Sequence, residues 1–257
     1  MNEKNACDIV AENLIRSNSR PAFLVVHGSR LYNTGNDESD YDVLGAFSYP
    51  ITKFLSMYQP PEKSLTTTGK DLDHHVEFHV HEIGKLALLA SNSNPTALEI
   101  IFSPDHMMML YDVTGKELKE LRRLSKPFIT TILYNPYISI YKKYGEEFSK
   151  ENVNVKKIVN IFRSMLVGMN IIETGTHEFD VRLLSKKYGV EDACSSLLLA
   201  KNDGDVIDTR RVHDVIIELR DRFMVIVNQS TLPPLATREA KNRLNEFVIS
   251  WRLHHDY

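Results

Sequence analysis

Cysteine is almost absent from this chain: Cys7 and Cys194 are the only two in 257 residues. Two thiols cannot build a disulfide framework, which points to a reducing compartment. Long apolar runs are missing as well; a helical membrane span needs about 18 to 20 consecutive apolar residues. The polar opening MNEKNACDIVAEN has neither the basic nor the apolar region of a signal peptide. The expected location is the cytoplasm. There is no surplus of positive charge: the formal net charge is −3, which excludes a protein that is basic all over and binds nucleic acid by charge alone. Aromatic and basic residues do not interleave as in RNA-recognition modules, and there is no internal repeat or low-complexity tract. What the chain does have is 42% hydrophobic content, ample for the core of one large or two small domains.

Most of the legible chemistry lies in residues 23–45, FLVVHGSRLYNTGNDESDYDVLG. Phe23 to Val26 has the composition of a buried strand and runs into His27-Gly28-Ser29. Ser29 is placed to cap a helix opening at Ser29-Arg30-Leu31-Tyr32. A strand, a Gly-Ser turn and a helix start would aim free N–H groups at one spot, which suits phosphate. Asn33, Gly35, Asn36 and Asp37 are loop residues that lead into Ser39-Asp40-Tyr41-Asp42-Val43. If Tyr41 to Leu44 is a strand, Asp40 and Asp42 share a side. Adjacent carboxylates repel unless a hard cation, magnesium or manganese, lies between them. Either pattern alone is common in surface turns; together they are equipment for phosphoryl or nucleotidyl transfer.

The order Gly28-Ser29, then Ser39-Asp40-x-Asp42, resembles the signature of the DNA polymerase β nucleotidyltransferase superfamily. The longer form GSRLYNTGNDESDYDVLG is similar to the predicted nucleotidyltransferases of the RNA repair pathway DNA polymerase beta family. Members usually have Gly where this chain has Asn33, a replacement compatible with a positive φ. The resemblance covers most of the chain and implies an α+β fold: a small mixed-sheet nucleotidyltransferase domain at 1–110 followed by an all-helical domain at 111–257. It implies Mg2+ or Mn2+ and a nucleoside triphosphate such as ATP, with RNA or tRNA among the acceptors. Glu82-Ile83-Gly84-Lys85 matches the family's helix opening and places Glu77 on the third acidic position, where Asp is commoner; Asp73 is the competitor. The implied metal ligands and catalytic groups are therefore Asp40, Asp42 and Glu77, with Gly28, Ser29, Arg30 and Ser39 on the triphosphate side. NPTALEIIFSP resembles a further family block, in which Asn94 binds backbone and Glu99 anchors a basic residue.

The remaining segments carry weaker signals. Residues 3–18 have the apolar spacing of a lead-in helix. Gln59-Pro60-Pro61 is a breaker, and Ser64 to Asp73 reads as a hairpin or a mobile loop over the site. A strand at 74–80 would put His75, Glu77 and His79 on one face. The row His75-x-Glu77-x-His79-x-His81 also suits a transition metal, but same-face neighbours stand about 6–7 Å apart and rarely reach one ion together. Helices are expected at 85–90, 96–102, 114–124, 127–148, 155–174, 181–188, 190–200, 209–229 and 237–252. Lys157, Asn160 and Arg163 fall on one helical face. Asn160 stands where the family usually has His; Lys157 and Arg163 are candidates for binding the triphosphate or a nucleic-acid backbone across a cleft, with a solvated basic face as the plain alternative. The reading is metal-dependent transfer of a nucleoside monophosphate to a hydroxyl. The alternatives are an inert binding relative, a His/Glu metal-dependent hydrolase, and a transferase acting on protein hydroxyls.

Overall fold

A computed structural model describes residues 1–58, 60–150, 153–204 and 207–255; of the expected breaker, Gln59 lies outside them. The chain forms two compact units. The first comprises 1–31, 39–128 and 236–257, and the second 32–38 and 129–235. The boundary expected at residue 110 falls inside the first unit.

In chain order the elements are α1 (Glu3–Arg16), β1 (Arg20–Val26), α2 (Gly28–Leu31), β2 (Tyr41–Ser48), α3 (Thr52–Leu55), β3 (Thr66–Asp71) and β4 (Val76–Glu82). They are followed by α4 (Ile83–Ser91), α5 (Pro95–Phe102), β5 (Met108–Leu110) and α6 (Gly115–Ser125). Then come α7 (Tyr134–Tyr144), α8 (Val155–Thr174), α9 (Val181–Tyr188), α10 (Glu191–Asn202), α11 (Thr209–Gln229) and α12 (Arg238–His254). The fold is α+β, with a mixed five-stranded sheet in the order β3-β4-β2-β1-β5. β2 and β4 run parallel and the other neighbours antiparallel.

Alternation along the strands decides which face is covered. Tyr41, Val43, Val76 and Val80 are buried against Ala6, Cys7, Val10 and Leu14 of α1. Each such side chain contributes about 1.5–3 kcal/mol when fully buried. The intervening residues Asp42 and Glu77 are therefore turned away from α1. The helix itself starts where Asn2 accepts from the Asn5 N–H at 2.9 Å. β5 was not anticipated; its three residues are too few for a periodic signal, and pairing with β1 at Phe23–Val25 forms the strand.

In the second unit, Asn154 caps α8, and Gly175 at φ 66° ends it. One helix was expected over 127–148. Instead, short 3₁₀ turns at Lys126–Phe128, Thr131–Leu133 and Gly145–Ser149 bracket α7. Pro127 and Pro136 interrupt continuous backbone bonding, and the Thr131 N–H is drawn to the Pro233 carbonyl at 3.1 Å.

Candidate active site

The site is a row of residues lying across the sheet. β1 and β2 pair antiparallel up to Val26 and Val43, and the His27 N–H then donates to the Asp42 carbonyl at 2.7 Å. This brings Gly28 directly against Asp42. A Cβ on Gly28 would stand 1.8 Å from Asp42 Oδ2, and the residue has φ +60°. Only glycine fits both the close approach and the left-handed backbone at low cost. On the other side of β2, parallel register sets Asp42 beside Glu77. Antiparallel register then sets Glu77 beside Lys70, and the two side chains form an ion pair. Lys70, Glu77 and Asp42 thus occupy consecutive strands of one transverse line, and Gly28, just past the end of β1, continues it. A cavity of about 310 Å³ opens over it, lined by Asp42, Leu44, Thr68, Lys70, Glu77 and His79 among others.

Several sequence expectations come together here. Asp40 precedes the first residue of β2, is well exposed, and has His75 Nδ1 at 3.5 Å from its Oδ1. Asn33 has φ +53°, as its substitution for glycine requires. Glu99 Oε2 lies 3.7 Å from His27 Nε2 beside the turn, both largely buried. Asn94 accepts from the Ala97 N–H at 3.0 Å and caps α5. Asp73 lies in the turn between β3 and β4, off the row, whereas Glu77 lies on it.

Some expected element limits shift, and local partners are seen. The helix starts at Gly28 rather than after a Ser29 cap, because the turn closes from the His27 carbonyl to the Leu31 N–H at 3.4 Å. Arg30 is stacked 3.8 Å above the Tyr41 ring, and its Nη2 donates to the Ser39 carbonyl at 2.7 Å; Arg30 and Ser39 therefore close the intervening loop on each other. His75 is not in a strand with Glu77 and His79. It stands in the hairpin turn at φ +52°, and β4 begins one residue later. His79 and His81 do stay together, with ring centroids 4.7 Å apart. Thr66 Oγ1 lies 2.9 Å from His81 Nδ1, and burial, with smaller contributions from His79 and Lys85, pushes the His81 pKa down to about 4.

Lys157 and Arg163, in the second unit, are each engaged locally. Lys157 Nζ donates to Glu147 Oε1 at 2.8 Å, and Lys150 and Lys157 together lower the Glu147 pKa to about 2. Arg163 donates to Asn160 Oδ1 at 2.5 Å and stacks 3.9 Å from the Tyr32 ring centroid.

Sequence reading missed Lys70. Its pKa is raised, first by the bond to Glu77 and then by the charges of Glu77, Asp40 and Asp42. An opposite-charge pair seven residues apart around a short turn is the one signal that would have revealed it. Among the described residues, no three His, Cys, Asp or Glu side chains are grouped closely enough to hold a metal. The donors nevertheless suit a hard cation: they are carboxylate oxygens, and an ammonium group stands among them.

A mixed sheet that carries Gly-Ser at the end of one strand and Asp-x-Asp at the start of the next has the architecture of a polymerase β-type nucleotidyltransferase. The chain belongs to the RNA repair pathway DNA polymerase beta family, whose model matches residues 6–250. A solved structure described as a nucleotidyltransferase-like protein from Exiguobacterium sibiricum 255-15 is similar over 96% of this chain and 87% of its own. Its identity is 13% and its TM-score 0.33, too distant to bear on the site. No curated protein matches the chain. No described helix is long and apolar enough to cross a membrane.

Proposed function

We propose that this protein transfers a nucleoside monophosphate from a nucleoside triphosphate to a hydroxyl acceptor, with RNA or tRNA as the first acceptor to test. The observation that carries the reading is the register: Asp42 lies between the Gly28 turn and Glu77, so the Gly28-Ser29 turn adjoins two carboxylates. Magnesium or manganese held by Asp40, Asp42 and Glu77 would supply the positive charge that offsets the triphosphate and acidifies the attacking hydroxyl.

In this reading the Gly28-Ser29 backbone and the Ser29 hydroxyl hold the β- and γ-phosphates, and Arg30 and Ser39 keep the loop that frames them. Lys157 and Arg163 are assigned to counter-charge for the polyanion. The acceptor oxygen bonds to the α-phosphorus as the bond to pyrophosphate breaks, and its proton passes to Glu77. Lys70 must release Glu77 for this to happen. Asp42 and Glu77 are turned to the sheet face opposite α1, so their chemistry does not disturb the core that α1 covers.

The test is transfer of label from each α-³²P nucleoside triphosphate, with magnesium, to total RNA and to a protein extract. Wild type is compared with Asp42→Asn, which keeps size and fold. Label on RNA with wild type alone supports the proposal. Label on protein alone moves the acceptor to a protein hydroxyl. No label with any nucleotide, or equal label with the variant, refutes it.

A further inference from the structure

The chain leaves the first unit after Leu31 and returns to it at Ser39; the residues between, Tyr32 to Glu38, are part of the second unit. This detour joins the two halves of the candidate site, with Gly28-Ser29 before it in the chain and Asp40 after it. Its run of Asn33, Thr34, Gly35, Asn36 and Asp37 is that of a loop open to many backbone angles. Such loops are the mobile parts of a fold unless buried contacts hold them.

Three helices of the second unit hold this one. The start of α9 grips its first two residues: the Val181 N–H donates to the Tyr32 carbonyl at 3.1 Å, and Asp180 Oδ2 accepts from the Asn33 amide at 3.0 Å. The other oxygen of Asp180 accepts from the Arg182 and Leu183 N–H groups and caps α9, so the carboxylate that grips the loop is itself fixed. Lys201, near the end of α10, donates to the Thr34 carbonyl at 2.7 Å. The Tyr32 ring is 2% exposed; it packs on Phe179, with ring centroids 6.1 Å apart, and carries the guanidinium of Arg163 from α8.

Asn33 shows that the grip is specific. Its φ of +53° is one that glycine adopts at less cost, but glycine could not bond Asp180. Asparagine supplies both the turn and the tether. At the far end of the detour, the Ser39 carbonyl is held by Arg30, two residues after Gly28. A binding turn keeps its geometry only when the residues that support it are themselves fixed. The supports here come from α8, α9 and α10 and act on the three residues that directly follow the α2 turn.

We propose that Asn33, Asp180 and Lys201 are positioning residues of the candidate site: by fixing Tyr32 to Thr34 they set the Gly28-Ser29 turn and Asp40 for the triphosphate. This rests on the function proposed above. None of the three touches the substrate; they act through the backbone of the loop.

The experiment is equilibrium dialysis of the full chain against each α-³²P nucleoside triphosphate with magnesium and no acceptor, beside hydrogen exchange of the amides of 32–40 and of Val181. Wild type is compared with Lys201→Met, Lys201→Arg, Asn33→Gly and, as a control, Lys142→Met, an exposed lysine of α7. A merely structural role lowers the number of competent molecules and leaves their dissociation constant alone. The expected result is a dissociation constant raised fivefold or more by Lys201→Met and by Asn33→Gly, with about one site per chain and faster exchange in the loop. Lys201→Arg, which can still donate to the Thr34 carbonyl, should stay within twofold of wild type, and Lys142→Met should match it. Unchanged dissociation constants in Lys201→Met and Asn33→Gly, with or without a loss of sites, overturn the proposal while leaving the transferase reading intact. Wild type that binds no triphosphate overturns both. Wild type that binds but transfers no label, with binding weakened in the two variants, refutes the transfer and upholds the positioning.

Discussion

Gly28→Ala adds a single methyl group, and the geometry says where it goes: 1.8 Å from Asp42 Oδ2 and 2.8 Å from Asp42 Cγ. Real Cβ atoms essentially never make contacts under 3.0 Å, so the carboxylate must swing away by about 1 Å or more, and misplacing a catalytic group by that much costs about a hundredfold in rate. Independently, φ +60° strains any residue with a Cβ by about 1–2 kcal/mol. For a chain of this size, 1 kcal/mol lowers Tm by about 2–4 °C, so strain alone predicts a fall of about 2–8 °C. The assay pairs thermal unfolding with label transfer, in the wild-type and Asp42→Ala backgrounds. Removing the Asp42 carboxylate removes the two closest clashing atoms, so Gly28→Ala should destabilise the Asp42→Ala protein less, with a coupling of about 0.5–3 kcal/mol, as between residues in contact. Equal Tm losses in the two backgrounds, with near-normal transfer by the single variant, would refute the close approach of Gly28 to Asp42 and with it the transverse row.

Lys70→Ala frees Glu77 of its ammonium partner and leaves the carboxylates closer to unscreened negative charge. The magnesium concentration giving half-maximal transfer should fall several-fold, and an unchanged magnesium titration would show that the Lys70 pair is not in competition with the cation. His81 supplies a pH dependence. Its pKa is about 4 in the fold against an ordinary 6.5, so between those values the unfolded chain binds a proton that the folded chain does not. Stability from this group is therefore complete above pH 6.5 and is lost as the pH falls towards 4, by about 3 kcal/mol in all. Thermal unfolding of His81→Gln across pH 4–8 should lose that slope relative to wild type; parallel curves would contradict it.

Much of the fold was legible because its periodic signals are long. The helices at 155–174, 181–188 and 209–229 are observed with the same limits as expected; each has an Asn or Asp cap and an apolar stripe. Short elements and interrupted ones were harder to see. β5 exists through its partner, and α7 is cut short by turns that depend on Pro233, about a hundred residues away in sequence. The interleaved units were invisible for the same reason. α6 and α12 belong with the sheet, and nothing in a helical stripe states which distant surface it will cover.

The proposed site was legible on one half of its charge. Carboxylates announce themselves by clustering along the chain, as Asp40 and Asp42 do, and Glu77 could be placed by the helix opening that follows it. The cations could not be placed in that way. Helical spacing groups Lys157 and Arg163, but it says nothing of Glu147 or Tyr32, the local partners that hold them. Lys70 stands among the carboxylates, brought there by hairpin register rather than by any motif. A sheet converts register into adjacency across strands, so four residues from four segments meet in one line while each segment alone reads as ordinary polar sequence. The same reasoning makes Glu77 a residue whose length matters. It extends one methylene beyond the commoner Asp, and Lys70 is the partner that occupies that extra reach. Glu77→Asp should therefore loosen the Lys70 pair while retaining the charge beside Asp42, and transfer that survives Glu77→Asp but not Glu77→Gln would show that the charge, not the pair, serves the reaction.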